Sequence, residues 1–242
     1  MQFIDTHIHL QDFSADFAPA VIDNADMKRL VLVAAKKEDF AKIAGLLERY
    51  PHKFSGAFGV HPWYWREEIG LMQEALKEML KKFPKALVGE IGVDELKEPV
   101  SEGQHKLFLA QLDVAKEFCR PVIVHAAKAF EALKEHEAVL KEVKYVHHGF
   151  VKNRELLKFI KQTGGYIGLG ALFLKQEKAR EMWEMMPYDK VLFETDAPYR
   201  VSEEDYNKKV QENLFKLAEI AGQDPAELAA QLVCNAEEFL KC

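Results

Sequence analysis

The residues best suited to chemistry in this sequence are imidazoles and acids at regular spacings. The stretch "IDTHIHL" at positions 4–10 sets Asp5, His7 and His9 two residues apart. Side chains alternate faces along a strand, so these three are expected to point one way, with two imidazole nitrogens presented to one metal ion. Further candidates follow: His61 in "GVHP", Glu90 in "VGEIG", His125 in "PVIVHA", His147 and His148 in "YVHHGF", and Asp196 in "ETDAP". Alone, each has an ordinary structural explanation, such as a paired buried carboxylate, a hydrogen-bonded core histidine or a helix N-cap. Together they require a fold that gathers them.

Imidazole and carboxylate without thiolate suit Zn, Mn, Fe or Co, and Mg more weakly. His7, His9, Glu90, His125, one histidine of the 147–148 pair and Asp196 exceed what one tetrahedral ion uses. Two divalent ions are therefore expected, with Glu90 as the bridging carboxylate. Neighbours on a strand face opposite ways, so only one of His147 and His148 reaches the site. The small Gly149 leaves room beside His148 and favours it. The other ring is expected between sheet and helix, with its nitrogens hydrogen-bonded there.

The elements that must position these groups are legible as a repeat. Short apolar runs such as "RLVLVAA", "ALVGEIGV" and "VLFETDA" alternate with helical periodicity over 66–82, 104–119 and 153–162. Strand and helix in alternation imply right-handed crossovers and a parallel sheet. Eight such units across residues 1–242, with no linker or shift of composition, predict one α/β domain, a single (β/α)8 TIM barrel. A doubly wound open sheet is the alternative. "DPAELAAQLVCNAEEFL" predicts an extra C-terminal helix with Asp224 as N-cap and Pro225 in its first turn. In a barrel the candidate residues fall at the C-terminal ends of strands, where catalytic groups collect. "GGYIGLG" at 164–170 is no dinucleotide loop, because Phe173 stands where a third glycine is needed; its glycines are expected to let backbone pack closely.

With 48% hydrophobic and 30% charged residues the chain has the balance of a globular protein with a sizeable core. A net charge of -6 argues against a broad nucleic-acid surface but leaves room for a metal-centred site that takes one phosphate at a time. Three cysteines without a C-x-x-C pair suggest reduced thiols and a cytoplasmic setting. The longest apolar runs are too short to span a bilayer. No obligatory protein partner is indicated.

Read in order, "IDTHIHL", "GVHP", "VGEIGVD", "Q-x-x-x-F-x-x-QL" at 104–112, "PVIVHA", the histidine before "GF" and "ETDAPY" make a set. The chain resembles the TatD-like metal-dependent hydrolases, a deoxyribonuclease family of the amidohydrolase superfamily, from residue 4 to about residue 199. The resemblance implies a two-metal barrel in which His7, His9, Glu90 and Asp196 bind one ion and Glu90, His125 and His148 the other. It also implies metal-dependent hydrolysis of DNA, often from the 3′ end, with Mg, Mn or Zn. The sequence departs from the family pattern at the mouth loops. Ala126–Ala129 replace a run with an Arg and an acid, Val151 and Lys152 replace a serine and a glycine, and 200–210 lack the usual Pro- and Arg-containing stretch.

The leading expectation is a phosphodiesterase acting on DNA ends or small phosphodiesters through a two-metal-activated water. Asp196 and Glu90 would be catalytic, and His61 would bind the substrate phosphate. The alternatives are hydrolysis of a small amide, ester or lactone at the same site, and an inactive metal-binding protein.

Overall fold

The computed structural model describes residues 1–241. Eight parallel strands follow one another in sequence order: β1 (Phe3–Ile8), β2 (Met27–Val33), β3 (Phe54–Phe58), β4 (Leu87–Asp94), β5 (Val122–Ala127), β6 (Tyr145–His147), β7 (Tyr166–Leu169) and β8 (Val191–Phe193). The chain then returns to its start. His9 donates its backbone N–H to Ala197 O at 2.8 Å, Asp196 to His7 O at 2.9 Å, and a parallel bridge joins Ile8 to Ala197. The sheet is thus a (β/α)8 barrel, as the strand–helix alternation predicts, and the open-sheet alternative falls.

Hydrophobic burial divides into two layers. Ile4, Val31, Val33, Ala57, Leu87, Ile123, Val146 and Leu192 from the strands form one cluster with Val233, Ala236 and Phe239. The latter three belong to the C-terminal helix Pro225–Phe239, whose N-cap Asp224 accepts from Ala226 and Glu227 N–H. Its Asn235 donates to Tyr188 O at 2.7 Å and Val191 O at 2.9 Å, tying the helix to the start of β8. A larger cluster lies between the strands and the surrounding helices, where Phe108, Leu112, Leu157, Ile160, Leu214 and Leu217 pack on the outer faces of the strands.

The helix Glu102–Glu117 anchors the mouth end of two strands. Gln111 accepts from Val60 N–H at 2.7 Å and donates to Val60 O at 3.0 Å. Gln104 does the same to Asp94, at 2.9 and 3.1 Å. These amides satisfy backbone groups where the ladder runs out, which burial demands. They fix the loops that follow β3 and β4. No helix among the described residues is long and apolar enough to cross a membrane.

Phe239 is fully buried in the inner cluster, so the C-terminal helix closes the core rather than decorating it. Phe239→Ala is expected to cost about 3–5 kcal/mol and to lower Tm by roughly 6–20 °C. Thermal denaturation beside Phe215→Ala, at a residue 55% exposed, checks this. Equal shifts for the two variants would contradict the role.

Candidate metal centre

His7 lies in β1 and His9 just beyond its end, with their Nε2 atoms 3.2 Å apart. Glu90 of β4 brings Oε1 to 3.6 Å from His9 Nε2 and Oε2 to 3.8 Å from His7 Nε2. The same Oε2 lies 3.0 Å from His148 Nε2 and 3.5 Å from His125 Nδ1, and those two nitrogens are 2.9 Å apart. Asp196 Oδ1 stands 3.6 Å from His9 Nε2 and 3.9 Å from His7 Nε2. Two trios, His7–His9–Asp196 and Glu90–His125–His148, can each set one ligand atom about a common point, and Glu90 adjoins both. Converging imidazole nitrogens and carboxylate oxygens, with no thiolate, form a donor set that fits divalent ions.

The barrel therefore brings together every residue singled out as a ligand candidate, from strand ends as far apart in sequence as β1 and β8. His148 is the member of the adjacent pair that joins the cluster. His147 sits on the other side of the strand, edge-on to Phe150. Contrary to expectation, neither of its ring nitrogens has a hydrogen-bond partner. His61 is 5% exposed, with its ring centroid 4.3 Å from that of His125. Its Nδ1 accepts from Trp63 N–H at 3.1 Å, which leaves the proton on Nε2, and burial pushes its pKa down to about 3. It is a neutral N–H donor at the edge of the site.

Asp5 departs from the expected alternation. The pairing of β1 with β2 shifts register between Asp5 and Ile8, so Asp5 does not share a face with His7 and His9. Its carboxylate instead accepts from His7 N–H and Thr195 N–H, each at 3.1 Å, from Thr195 Oγ1 at 2.6 Å and from Tyr206 OH at 2.9 Å. It is a clasp between β1, the end of β8 and the helix Tyr206–Ala221.

Two further carboxylates were not singled out from sequence. Asp94 Oδ2 accepts from His125 Nε2 at 2.7 Å, which turns the Nδ1 lone pair toward Glu90 and the site. Burial works to raise the Asp94 pKa, but hydrogen bonds from His125, Trp63 and the Leu96 amide hold it down to about 2. Glu194 accepts from Gly149 N–H at 2.5 Å and lies 3.9 Å from His148 Nδ1; burial pushes it up to about 7. Gly168 exists for this carboxylate: a Cβ there would stand 2.1 Å from Glu194 Oε2. The glycines at 164–170 thus make room for an acid as well as for backbone. Asp94 carried a signal, standing four residues from Glu90 on the same strand, whereas Glu194 and Asp196 lie beyond the end of β8, where alternation says nothing.

Electrostatically, burial opposes charge on Glu90 and Asp196, yet the surrounding imidazoles hold both below the usual carboxylate range. Asp196 also adopts a left-handed backbone, φ 54°. The clasp at Asp5 yields a stability prediction. Tyr206→Phe removes one of its four hydrogen bonds and is expected to cost about 1–2 kcal/mol, roughly 2–8 °C in Tm. A shift no larger than that of the exposed Lys208→Ala would show that the hydroxyl contributes nothing to the seam.

Comparison with known proteins agrees with this arrangement. The family model for "TatD related DNase" matches residues 4–241. A metal-dependent hydrolase of Haemophilus influenzae is 30% identical over 219 residues, covering 82% of this chain and 82% of the relative. The 3′-5′ ssDNA/RNA exonuclease TatD of Citrobacter rodentium is 29% identical over 234 residues, covering 89% and 87%. The crystal structure of YjjV, a TatD homologue from Escherichia coli, superposes with a TM-score of 0.82 at 26% identity, over 98% of this chain and 97% of that one. With the motifs gathered at one barrel mouth and the family match running nearly end to end, this chain belongs to the TatD related DNase family.

Proposed function

We propose that this protein hydrolyses phosphodiester bonds at nucleic-acid strand ends with two divalent ions, Zn, Mn or Mg. His7, His9, Glu90 and Asp196 would hold one, and Glu90, His125 and His148 the other. The observation that carries this reading is the split of Glu90, with Oε1 3.6 Å from His9 and Oε2 3.0 Å from His148. A carboxylate placed so is suited to serve both positions. Bound there, the ions would supply Lewis acidity toward a water and a phosphoryl oxygen.

The chain's own groups take the remaining roles. Asp196 is ionised, buried among imidazoles and 19% exposed at its side chain, so it can accept the proton of the attacking water. His61 offers its Nε2–H to a phosphate oxygen. Asp94 fixes the tautomer and direction of His125, and Glu194 stands behind His148. The acid–imidazole cluster is compact, and the chain has a net charge of -6, so an unpaired strand end suits it better than a long duplex track. The free thiols of Cys119 and Cys234, both exposed, support a reducing, cytoplasmic setting.

The deciding assay sets linear single-stranded oligonucleotides beside closed circles, with Mn supplied, and beside amide and lactone panels. Degradation of the linear strand alone is the expected result. Faster turnover of a lactone or amide would overturn the phosphodiesterase reading. Binding of a Ca-substituted protein to a short single strand is expected to fall with salt at a shallow slope, roughly -1 to -3 in log K against log salt. A much steeper slope would show a cationic track beyond the mouth.

Substitution separates the ligand roles from packing. Glu90→Ala is expected to lower kcat by roughly 100-fold or more and to reduce the bound metal measured by atomic emission. His148→Ala should lose metal in the same way. His147→Ala should keep its metal and lose about 2 kcal/mol of stability, roughly 4–8 °C in Tm. Metal loss at position 147 and not at 148 would reverse the assignment.

A further inference from the structure

The loops after β5, β6 and β8 enclose a cavity of about 420 Å³ that opens beside His125, His148 and Asp196. Its volume suits a small ligand or one nucleotide unit. Lys128, Lys152 and Arg200 line it, each from a different loop. Arg200 Nε lies 3.5 Å from Asp196 Oδ2; among the described residues no carboxylate is paired with Lys128 or Lys152. Lys128 and Lys152 are exposed at its rim, Arg200 is 46% exposed, and the only acid in the lining is Asp196, which faces His9. The lining carries more positive than negative charge, which favours an anion there.

Three other features belong to the same hollow. Ala126, Ala127 and Ala129 form part of its wall, so the loop after β5 yields space instead of filling it. Leu96, Phe130, Val151 and Leu172 add apolar surface, suited to a sugar or base face. Lys128 holds a left-handed backbone, φ 54°, which a side chain with a Cβ rarely adopts without a reason outside the backbone.

We propose that this cavity binds the nucleotide next to the bond being cut, gripping its neighbouring phosphate with Lys128 and Lys152. The two lysines are then specificity-determining residues for substrates with two successive phosphates. The inference rests on the phosphodiesterase reading of the metal centre and goes beyond it by saying what must flank the scissile group.

The test uses the metal-loaded full chain and four diesters: a thymidine dinucleotide with no terminal phosphate, the same with a 5′-phosphate, the same with a 3′-phosphate, and bis(4-nitrophenyl) phosphate. One phosphorylated dinucleotide is expected to show a KM roughly 10- to 100-fold below that of the unphosphorylated one. In the Lys128→Ala, Lys152→Ala double variant that ratio should fall to near one, and the Lys→Arg double variant should restore it. Equal KM values for all three dinucleotides in the unaltered protein overturn the inference alone, provided that the small diester is cleaved. A loss in the alanine variant that is equal for all four substrates overturns it too. Failure to cleave any of the four overturns the phosphodiesterase reading, and the inference with it.

Discussion

The structure depends on the seam where the last strand meets the first. His7 and Asp196 stand at opposite ends of the barrel's path through sequence, and they are neighbours only because Asp196 N–H bonds His7 O at 2.9 Å and His9 N–H bonds Ala197 O at 2.8 Å. Backbone groups at a sheet edge seek partners, and closure satisfies them. The same closure places the two ends of the candidate metal cluster side by side. Asp5 reinforces the seam with four hydrogen bonds to residues of β1, the end of β8 and an outer helix. The clasp and the chemistry therefore share a peptide: the residues that close the barrel alternate with those that project into its mouth.

Gathering so many ionisable groups in a buried site is costly unless their charges are compensated. Here Asp94 and Glu194 stand behind imidazoles at the rim, and at the centre the imidazoles hold Glu90 and Asp196 below the usual carboxylate range while nitrogen and oxygen lone pairs converge. Glu90 sits where both halves meet. A cluster of this kind is better explained as a set of ligands than as a hydrogen-bonded network, since the Nε2 atoms of His7 and His9 stand 3.6–3.9 Å from the oxygens of Glu90 and Asp196, beyond hydrogen-bond distance.

Much of this was legible in the chain because barrel topology converts strand ends into a ring. The order of motifs predicts the eight strands, and even spacing predicts which faces converge. The legibility stops where alternation is broken. Strict alternation puts Asp5 on the face of His7 and His9, but the irregular register after it turns its carboxylate to Thr195 and Tyr206. Asp94 and Glu194 were visible as acids near known candidates, yet their partners, a ring nitrogen of His125 and the amide of Gly149, lie on other strands. The purpose of Gly168 could not be read without the carboxylate that fills its missing side chain.

Asp196 has a left-handed backbone, φ 54°, and this limits what may replace it over evolutionary time. Glycine and, among residues with a Cβ, asparagine and aspartate tolerate that region best. Glutamate would keep the charge but strain the turn; asparagine would keep the turn and lose the charge. Asparagine or glycine can therefore stand here with the barrel seam intact. Under the role proposed for Asp196, a lineage that retains hydrolysis keeps aspartate here, and exchange of one carboxylate oxygen for an amide nitrogen divides active from silent descendants.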